Sequence, residues 1–92
     1  DNIKRIIPNK LSAEINLSKI RTLKIFDWLR KNNISDKEML RTFNLGVGFC
    51  IIVEKKNINK IKKYFHKSFM PYEIGSISEN KKKLNFYNKL LW

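Results

Sequence analysis

One apolar run near the middle of the chain constrains the fold more than any other feature. The run covers residues 47–53, and only Gly48 interrupts its sequence of Val, Phe, Cys and Ile side chains. Successive side chains of a strand point to opposite faces, so a strand that is apolar at every position must be covered on both sides. The run therefore predicts an interior strand, and it is far shorter than the roughly 20 residues that cross a bilayer.

Further segments show the periods of strands and helices. Residues 11–17 alternate between apolar and polar side chains, which is typical of a half-buried strand. Residues 22–32 carry an apolar stripe at helical spacing, and this stripe places Trp28 in the core. The other predicted elements are the end of a helix at residues 1–7, a helix at 57–70 ended by Pro71, a strand at 72–78, a turn at 80–83, and a strand or loose tail at 84–91. This order predicts one domain of the α/β (α+β) class, a mixed sheet covered by helices.

The segment before the apolar run combines a helix signal with a glycine-rich turn. Ser35 and Glu38 form a capping box, which predicts a short helix from Asp36 to about Thr42. Residues 41–48, Arg-Thr-Phe-Asn-Leu-Gly-Val-Gly, follow that helix and are called the elbow below.

The elbow has two interpretations, one structural and one functional. In the structural one, Gly46 ends the helix in a left-handed conformation with help from Asn44, and Gly48 allows close backbone approach in the sheet. In the functional one, Arg41, Thr42 and Asn44 line a cleft, and Arg41 bonds a phosphate. The helix precedes the strand, which is the reverse of the usual phosphate loop, and its C-terminal dipole disfavours an anion.

The net charge of +12 also admits more than one explanation. The chain holds 16 Lys but only 4 Arg, together with 11 Asn and 13 Ile. Lys, Asn and Ile all become more frequent when the codons of a genome are rich in A and T. A basic field also attracts phosphorylated substrates, and a basic face binds nucleic acid. Proteins that recognise bases favour Arg for its planar fork, and the sequence suggests no exposed aromatic platform for base stacking. Composition therefore favours a chain that does not bind nucleic acid.

No residue pattern indicates a catalytic or metal centre. His66 has no acidic partner at helical spacing, so it is expected at the surface. Cys50 lies within the apolar run, where core packing is expected, and a single cysteine suits a reducing cytosol. The Asp and Glu residues are scattered and show no metal-binding spacing. We therefore predict no catalytic residue, no metal ligand and no membrane span in this chain.

Four blocks of the chain resemble aminoimidazole ribonucleotide synthetase, the phosphoribosylformylglycinamidine cyclo-ligase family. The elbow and its helix are similar to that family's Met-x-Arg-Thr-Phe-Asn-x-Gly-[Ile/Val]-Gly signature. Residues 2–8 resemble its Asn-Ile-Pro-Arg-Val-Leu-Pro, residues 25–29 its Ile-Phe-x-Trp-Leu, and residues 72–75 a strand that ends in Ile-Gly. The resemblance spans residues 2 to about 78. Lys4 departs from it, since the family usually has Pro there, and the tail after Ser78 matches nothing distinctive.

The resemblance implies that residues 1–92 are the C-terminal part of a larger enzyme whose N-terminal ATP-binding domain is absent. That parent would convert formylglycinamidine ribonucleotide to aminoimidazole ribonucleotide with ATP and Mg²⁺, which bind mainly outside this segment. It would be a cytoplasmic homodimer joined through the N-terminal domain. By position, the residues that would bind substrate and phosphate are Asn2, Arg5, Arg41, Thr42, Asn44, Gly46 and Gly48. The chain alone is expected to be inactive.

Two alternatives to this assignment remain at the level of sequence. One alternative is a piece of a related superfamily member, such as formylglycinamidine ribonucleotide synthetase or selenophosphate synthetase. The other alternative is a small, basic nucleic-acid-binding module. Arg-Thr-Phe-Asn and Ile-Phe-x-Trp-Leu together favour the cyclo-ligase.

Overall fold

The computed structural model describes residues 2–92, with side chains from Ile3 onward, and shows an α+β fold built on a three-stranded mixed sheet. Strand β1 (Leu11–Asn16) lies at the centre. It pairs antiparallel with β2 (Gly75–Glu79), with Leu11 opposite Glu79, and parallel with β3 (Leu84–Tyr87), with Ala13 opposite Leu84. The predicted fold class is confirmed.

The helices are short and lie around this sheet. They are α1 (Lys24–Arg30), α2 (Asp36–Thr42) and α3 (Ile58–Lys62), with 3-10 helices at Asn2–Ile6, Leu17–Lys19, Lys55–Asn57 and Lys67–Phe69. Within residues 2–92, none of the helices has the length and apolar character required to cross a membrane.

The core lies on the face of β1 that carries Ala13 and Ile15. Side chains from the sheet, α2 and the elbow meet there, and Met39 of α2 and Leu45 of the elbow are its most deeply buried members, at 0% and 1% exposed. The buried apolar residues are Ile7, Ala13, Ile15, Leu17, Ile20, Met39, Leu45, Leu84 and Leu90. The alternation predicted for residues 11–17 is thus confirmed on its apolar side.

The other face of β1 forms a hydrogen-bond network rather than a solvated surface. The Glu14 carboxylate accepts from the hydroxyls of Ser78 at 2.8 Å and Ser12 at 3.0 Å. The side-chain amide of Asn85 donates to the Ser12 hydroxyl at 2.8 Å. Cross-strand pairing brings these four groups together, since Ser12 lies opposite Ser78 and Glu14 opposite Asn85. Ser12 is fully buried as a result.

The helix predicted over residues 22–32 exists, but the predicted place of Trp28 in the core is wrong. Only Phe26 and Leu29 of the stripe pack against the core, while Ile25 and Trp28 are 56% and 63% exposed. A helix of seven residues at the edge of the domain buries one narrow face, and Phe26 and Leu29 occupy it because they lie three residues apart.

The prediction of an interior strand at residues 47–53 is also wrong for this chain. These residues pair with no strand in the part of the chain that is described, and β1 takes the central position instead. Phe49 is 86% exposed, and Ile51, Ile52 and Val53 are half-exposed or nearly so. Backbone groups form a strand only where a neighbouring strand supplies partners, and residues 2–92 supply none here.

The helix predicted from Asn57 to Pro71 breaks into shorter pieces. Its α-helical part, α3, has five residues, and a separate 3-10 helix follows at Lys67–Phe69. Helices this short depend on packing for their stability. Phe69 is 78% exposed, so the apolar stripe that should hold the helix has too little to pack against.

The molecule is flat and more expanded than its length requires. Its extents are 41 × 36 × 21 Å and its radius of gyration is 14.1 Å, against about 12 Å for a compact domain of this length. Its accessible surface is 7710 Å², whereas a compact monomer of this mass exposes about 5,600 Å². The chain therefore leaves roughly 2,000 Å² more surface uncovered than a self-contained domain would.

Candidate functional site

The elbow is held in place by the helix before it and by two buried side chains. The Ser35 hydroxyl accepts a hydrogen bond from the Glu38 amide at 3.3 Å, so α2 begins at Asp36 as the capping box predicts. Met39 and Leu45 anchor the two sides of the elbow in the core. Packing therefore fixes the path of residues 41–48.

The turn within the elbow has a left-handed backbone. The carbonyl of Asn44 accepts from the Val47 amide at 2.9 Å, and the Asn44 side chain accepts from the Gly46 amide at 2.9 Å. Leu45 and Gly46 have φ values of 57° and 105°, as in turns of type I′. Leucine rarely adopts this conformation, whose cost is about 1–3 kcal/mol, and the burial of its side chain offsets that cost.

Gly46 has the predicted left-handed conformation, but it does not end α2. The helix stops at Thr42 and its cap residue, Phe43, is extended. Gly46 lies three residues after Phe43, and its positive φ is needed inside the turn. Gly48 likewise makes no close backbone approach, since a Cβ atom there would meet nothing within 4 Å.

The polar side chains of the elbow lie at the surface. Arg41, Thr42 and Asn44 are all exposed. The Arg41 guanidinium lies 3.7 Å from the Glu38 carboxylate, and the Arg41 side chain is 76% exposed. An ion pair this exposed contributes little to stability, and it leaves the guanidinium able to donate two parallel hydrogen bonds to a phosphate or carboxylate.

An apolar cleft of about 570 Å³ opens beside the elbow. The cleft is lined by residues 46–53 and 69–77, and its remaining lining residues are Ile3, Ile7, Ala13, Ile15, Ile58, Ile61, Lys62 and Phe65. Small-molecule pockets carry a few convergent polar groups, but this lining is dominated by aliphatic and aromatic side chains. The cleft is therefore unsuited to holding a nucleotide by itself.

The structure brings some of the predicted site residues together and separates others. Gly46 and Gly48 line the cleft, whereas Arg41, Thr42 and Asn44 lie outside its described lining. Arg5 is exposed on the 3-10 helix whose Ile3 reaches the same cleft. The backbone of Asn2 begins that helix, but its side chain lies outside the described residues.

The elbow also packs against Leu23 and Arg21, a contact that the sequence did not indicate. A Cβ atom on Gly46 would lie 3.0 Å from Leu23 Cγ and 3.1 Å from the Arg21 carbonyl oxygen. The Arg21 amide in turn donates to the Tyr72 hydroxyl at 3.0 Å, and the Arg21 guanidinium lies 4.2 Å from the centroid of the Tyr72 ring. Only the tertiary fold brings residues 21, 46 and 72 together, so no local pattern could have revealed this contact.

The acidic residues form no metal site in the described part of the chain. No group of three His, Cys, Asp or Glu side chains there is arranged to hold a metal ion. The hydrogen bond from Ser78, followed by those from Ser12 and Asn85, lowers the pKa of Glu14. The hydrogen bond from Arg30 lowers the pKa of Asp27. Both carboxylates are thus held in the charged form by structural partners.

Neither His66 nor Cys50 has the surroundings of a catalytic group. His66 is exposed, as predicted, and its Nδ1 accepts from the Ser68 amide at 3.3 Å at the start of a 3-10 helix. Cys50 is only partly buried, so its predicted core position is not fully reached. Burial raises the pKa of its thiol, which disfavours the reactive thiolate.

The fold and the elbow define the class of protein, an α+β domain built on a small mixed sheet with a polar turn beside an open cleft. The chain belongs to the family described as "AIR synthase related protein, C-terminal domain", whose model matches residues 1–85. No solved structure gives a significant match to this fold.

The relatives that the chain resembles are cyclo-ligases. It is 42% identical over 79 residues to a phosphoribosylformylglycinamidine cyclo-ligase of Staphylococcus epidermidis, covering 84% of this chain and 23% of the relative. It is 37% identical over 82 residues to one of Staphylococcus aureus, covering 87% of this chain and 24% of the relative. The chain thus spans about a quarter of the length of the curated relatives it matches.

Proposed function

We propose that this chain forms the C-terminal part of a phosphoribosylformylglycinamidine cyclo-ligase and contributes one wall of its substrate site. The reaction is the ATP-dependent closure of formylglycinamidine ribonucleotide to aminoimidazole ribonucleotide, a step of de novo purine biosynthesis in the cytoplasm. The observation that carries the proposal is the elbow, whose apolar residues anchor it in the core while its polar residues face outward. The relatives' name, phosphoribosylformylglycinamidine cyclo-ligase, supports a ligase of this class.

The chain's part in this reaction is to position substrate. The planar guanidinium of Arg41 can donate two parallel hydrogen bonds to a ribonucleotide phosphate. Thr42, Asn44 and the glycine amides add uncharged donors beside it. Arg5 and Asn2 are proposed to add contacts from the 3-10 helix whose Ile3 lines the cleft. None of these groups is proposed to transfer a proton. The charge of +12 favours the approach of a phosphorylated substrate at long range.

ATP and Mg²⁺ belong to the rest of the proposed enzyme. The described residues do not fit a magnesium site, since their carboxylates are scattered or bonded within the sheet. The homodimer contact is likewise proposed for the N-terminal domain.

A chimeric enzyme tests the proposal. The matched 79 residues of the Staphylococcus epidermidis relative are replaced by this chain, and ATP-dependent ring closure is measured. Arg41→Lys keeps the positive charge but removes the planar guanidinium that can donate two parallel hydrogen bonds. Losing a charge-assisted hydrogen bond of about 1.5–3 kcal/mol lowers kcat/KM about 10- to 150-fold.

Arg30→Lys is the matched control, because Arg30 bonds Asp27 on α1 and lies outside the elbow. We expect it to change kcat/KM of the folded chimera less than about twofold, since the half-buried pair with Asp27 and the contact with the Trp92 ring bear on stability and not on substrate. Equal losses in the two variants, or no loss in Arg41→Lys, contradict the proposed role of the elbow.

A further inference from the structure

Two contacts from one tyrosine fix the loop that precedes α1. This loop, residues 21–23, is called the support loop below, and it has no helix or strand of its own, so its backbone amides need partners elsewhere in the fold. The Arg21 amide donates to the Tyr72 hydroxyl at 3.0 Å. The Arg21 guanidinium also lies 4.2 Å from the centroid of the Tyr72 ring. Tyr72 therefore holds both the backbone and the side chain of Arg21.

Tyr72 is itself attached to the sheet. Two residues later, the Ile74 carbonyl accepts from the Asn16 amide of the central strand at 2.7 Å. Gly75 then begins β2 so close to β1 that a Cβ atom there would overlap the Glu14 carbonyl. Backbone that is paired in a sheet opens only with much of the fold. The Tyr72 hydroxyl is therefore carried by a segment with a well-defined position.

The support loop contacts the elbow directly. A Cβ atom on Gly46 would lie 3.1 Å from the Arg21 carbonyl oxygen and 3.0 Å from Leu23 Cγ, so the turn and the loop are already in close contact. Closely packed groups transmit displacements to one another. A shift of Arg21 therefore reaches Gly46 and, with it, the donors that are proposed to bind substrate.

We infer that Tyr72 is a positioning residue for the substrate site, whose hydroxyl holds the elbow in place through the Arg21 backbone. The inference rests on the proposed function, because it concerns the phosphate contact assigned to Arg41. Two parallel hydrogen bonds to a phosphate require a defined geometry, and a small displacement of a positioning group weakens substrate binding. Tyr72 acts through the elbow and not on the substrate itself.

Tyr72→Phe in the chimeric cyclo-ligase tests the inference, because it removes the hydroxyl and keeps the ring. A displaced elbow binds substrate less tightly, and the loss does not exceed the net value of the hydrogen bond that held the loop. We therefore expect KM for formylglycinamidine ribonucleotide to rise about 2- to 12-fold. We expect kcat to change less than about twofold, since the phosphate contact is made equally in the ground state and the transition state.

The change in KM distinguishes positioning from stability. A chimera that is only destabilised contains fewer folded molecules, which lowers the apparent kcat and leaves KM unchanged. Tyr64→Phe is the matched control, because Tyr64 is 80% exposed and lies outside the described lining of the cleft. We expect it to change neither constant by more than about twofold. If Arg41→Lys raises KM but Tyr72→Phe does not, or if Tyr64→Phe raises it equally, the inference is overturned.

A double-mutant cycle with Arg41→Lys tests the route through the elbow. The Tyr72 hydroxyl matters less to substrate binding once the guanidinium that it helps to position is gone. We expect Tyr72→Phe to raise KM less than about twofold in the Arg41→Lys background. The same rise in both backgrounds contradicts action through the elbow.

Hydrogen exchange at the elbow gives a readout that is independent of ring closure. The Gly46 and Val47 amides both bond Asn44, so peptides covering residues 41–48 report how firmly the turn is held. We expect Tyr72→Phe to speed their exchange about 2- to 12-fold and Tyr64→Phe to leave it unchanged. Faster exchange in Tyr72→Phe together with no effect of Arg41→Lys on KM contradicts the proposed function alone. Unchanged exchange in Tyr72→Phe overturns the inference whatever the activity.

Discussion

Gly46 and Gly48 belong to the same elbow but have different surroundings. Gly46 has φ of 105° and faces Leu23 and the Arg21 carbonyl, whereas Gly48 has open space where a Cβ atom would lie. Gly46→Ala is therefore expected to lower the free energy of unfolding by about 1–3 kcal/mol. Gly48→Ala is expected to change it by less than about 0.5 kcal/mol.

Urea titration of the two variants checks this expectation, with the midpoint and slope measured for each. Equal destabilisation by both substitutions would show that the turn is not held as described. Gly46 would then not be required for its backbone conformation.

At the residue scale, the sequence predicts a contact correctly where a side chain bonds a residue that is close to it in the chain. Ser35 caps α2, and Asn44 bonds the turn, because both contacts span only two or three residues. The sequence did not predict the exposure of Trp28 or the burial of Ser12, because distant parts of the chain determine both. The outward placement of Arg41 follows from the burial of Met39 and Leu45, which no local pattern fixes.

The C-terminal tail is the element whose role the sequence left most open. After β3 the chain turns back across α1 and α2, with Leu90 buried in the core at 5% exposed. The Trp92 indole donates to Asp36 at 2.9 Å, and the Arg30 guanidinium lies 5.0 Å from its ring. Residues 88–92 are therefore a docked segment and not a loose tail, although they lie beyond the family match.

Two adjacent leucines test the docking of this tail. Leu90→Ala is expected to lower the free energy of unfolding by about 2–4 kcal/mol, because a buried side chain is replaced by a cavity. Leu91 is 67% exposed, so Leu91→Ala is expected to change it by less than about 0.5 kcal/mol. Thermal unfolding followed by circular dichroism distinguishes the two, and comparable losses of stability would contradict the docked arrangement.

Elements were predictable where their partners lie within the chain. The strand at residues 11–17 and the helix at 36–42 are observed nearly as predicted. Residues 47–53 and the helix predicted at 57–70 differ from expectation for one reason, namely that both line the cleft. Their patterns are those of covered elements, but residues 2–92 do not cover them.

For the whole molecule, the surface area and the family match point in the same direction. A chain that exposes 7710 Å² has not closed its own core on every side, and its relatives are about four times as long as the matched segment. The fold class could be predicted from the sequence, because the order of elements defines it. The openness of the cleft could not, because it depends on the tertiary partners of residues 47–53 and 69–77, which no local pattern reveals.

The most direct test of the central claim compares ATP-dependent formation of aminoimidazole ribonucleotide by the chimera and by the isolated chain. The account predicts turnover by the chimera, provided that it unfolds cooperatively like the parent relative, and none by the 92 residues alone. Turnover by the isolated chain, or a folded chimera without activity, would contradict it.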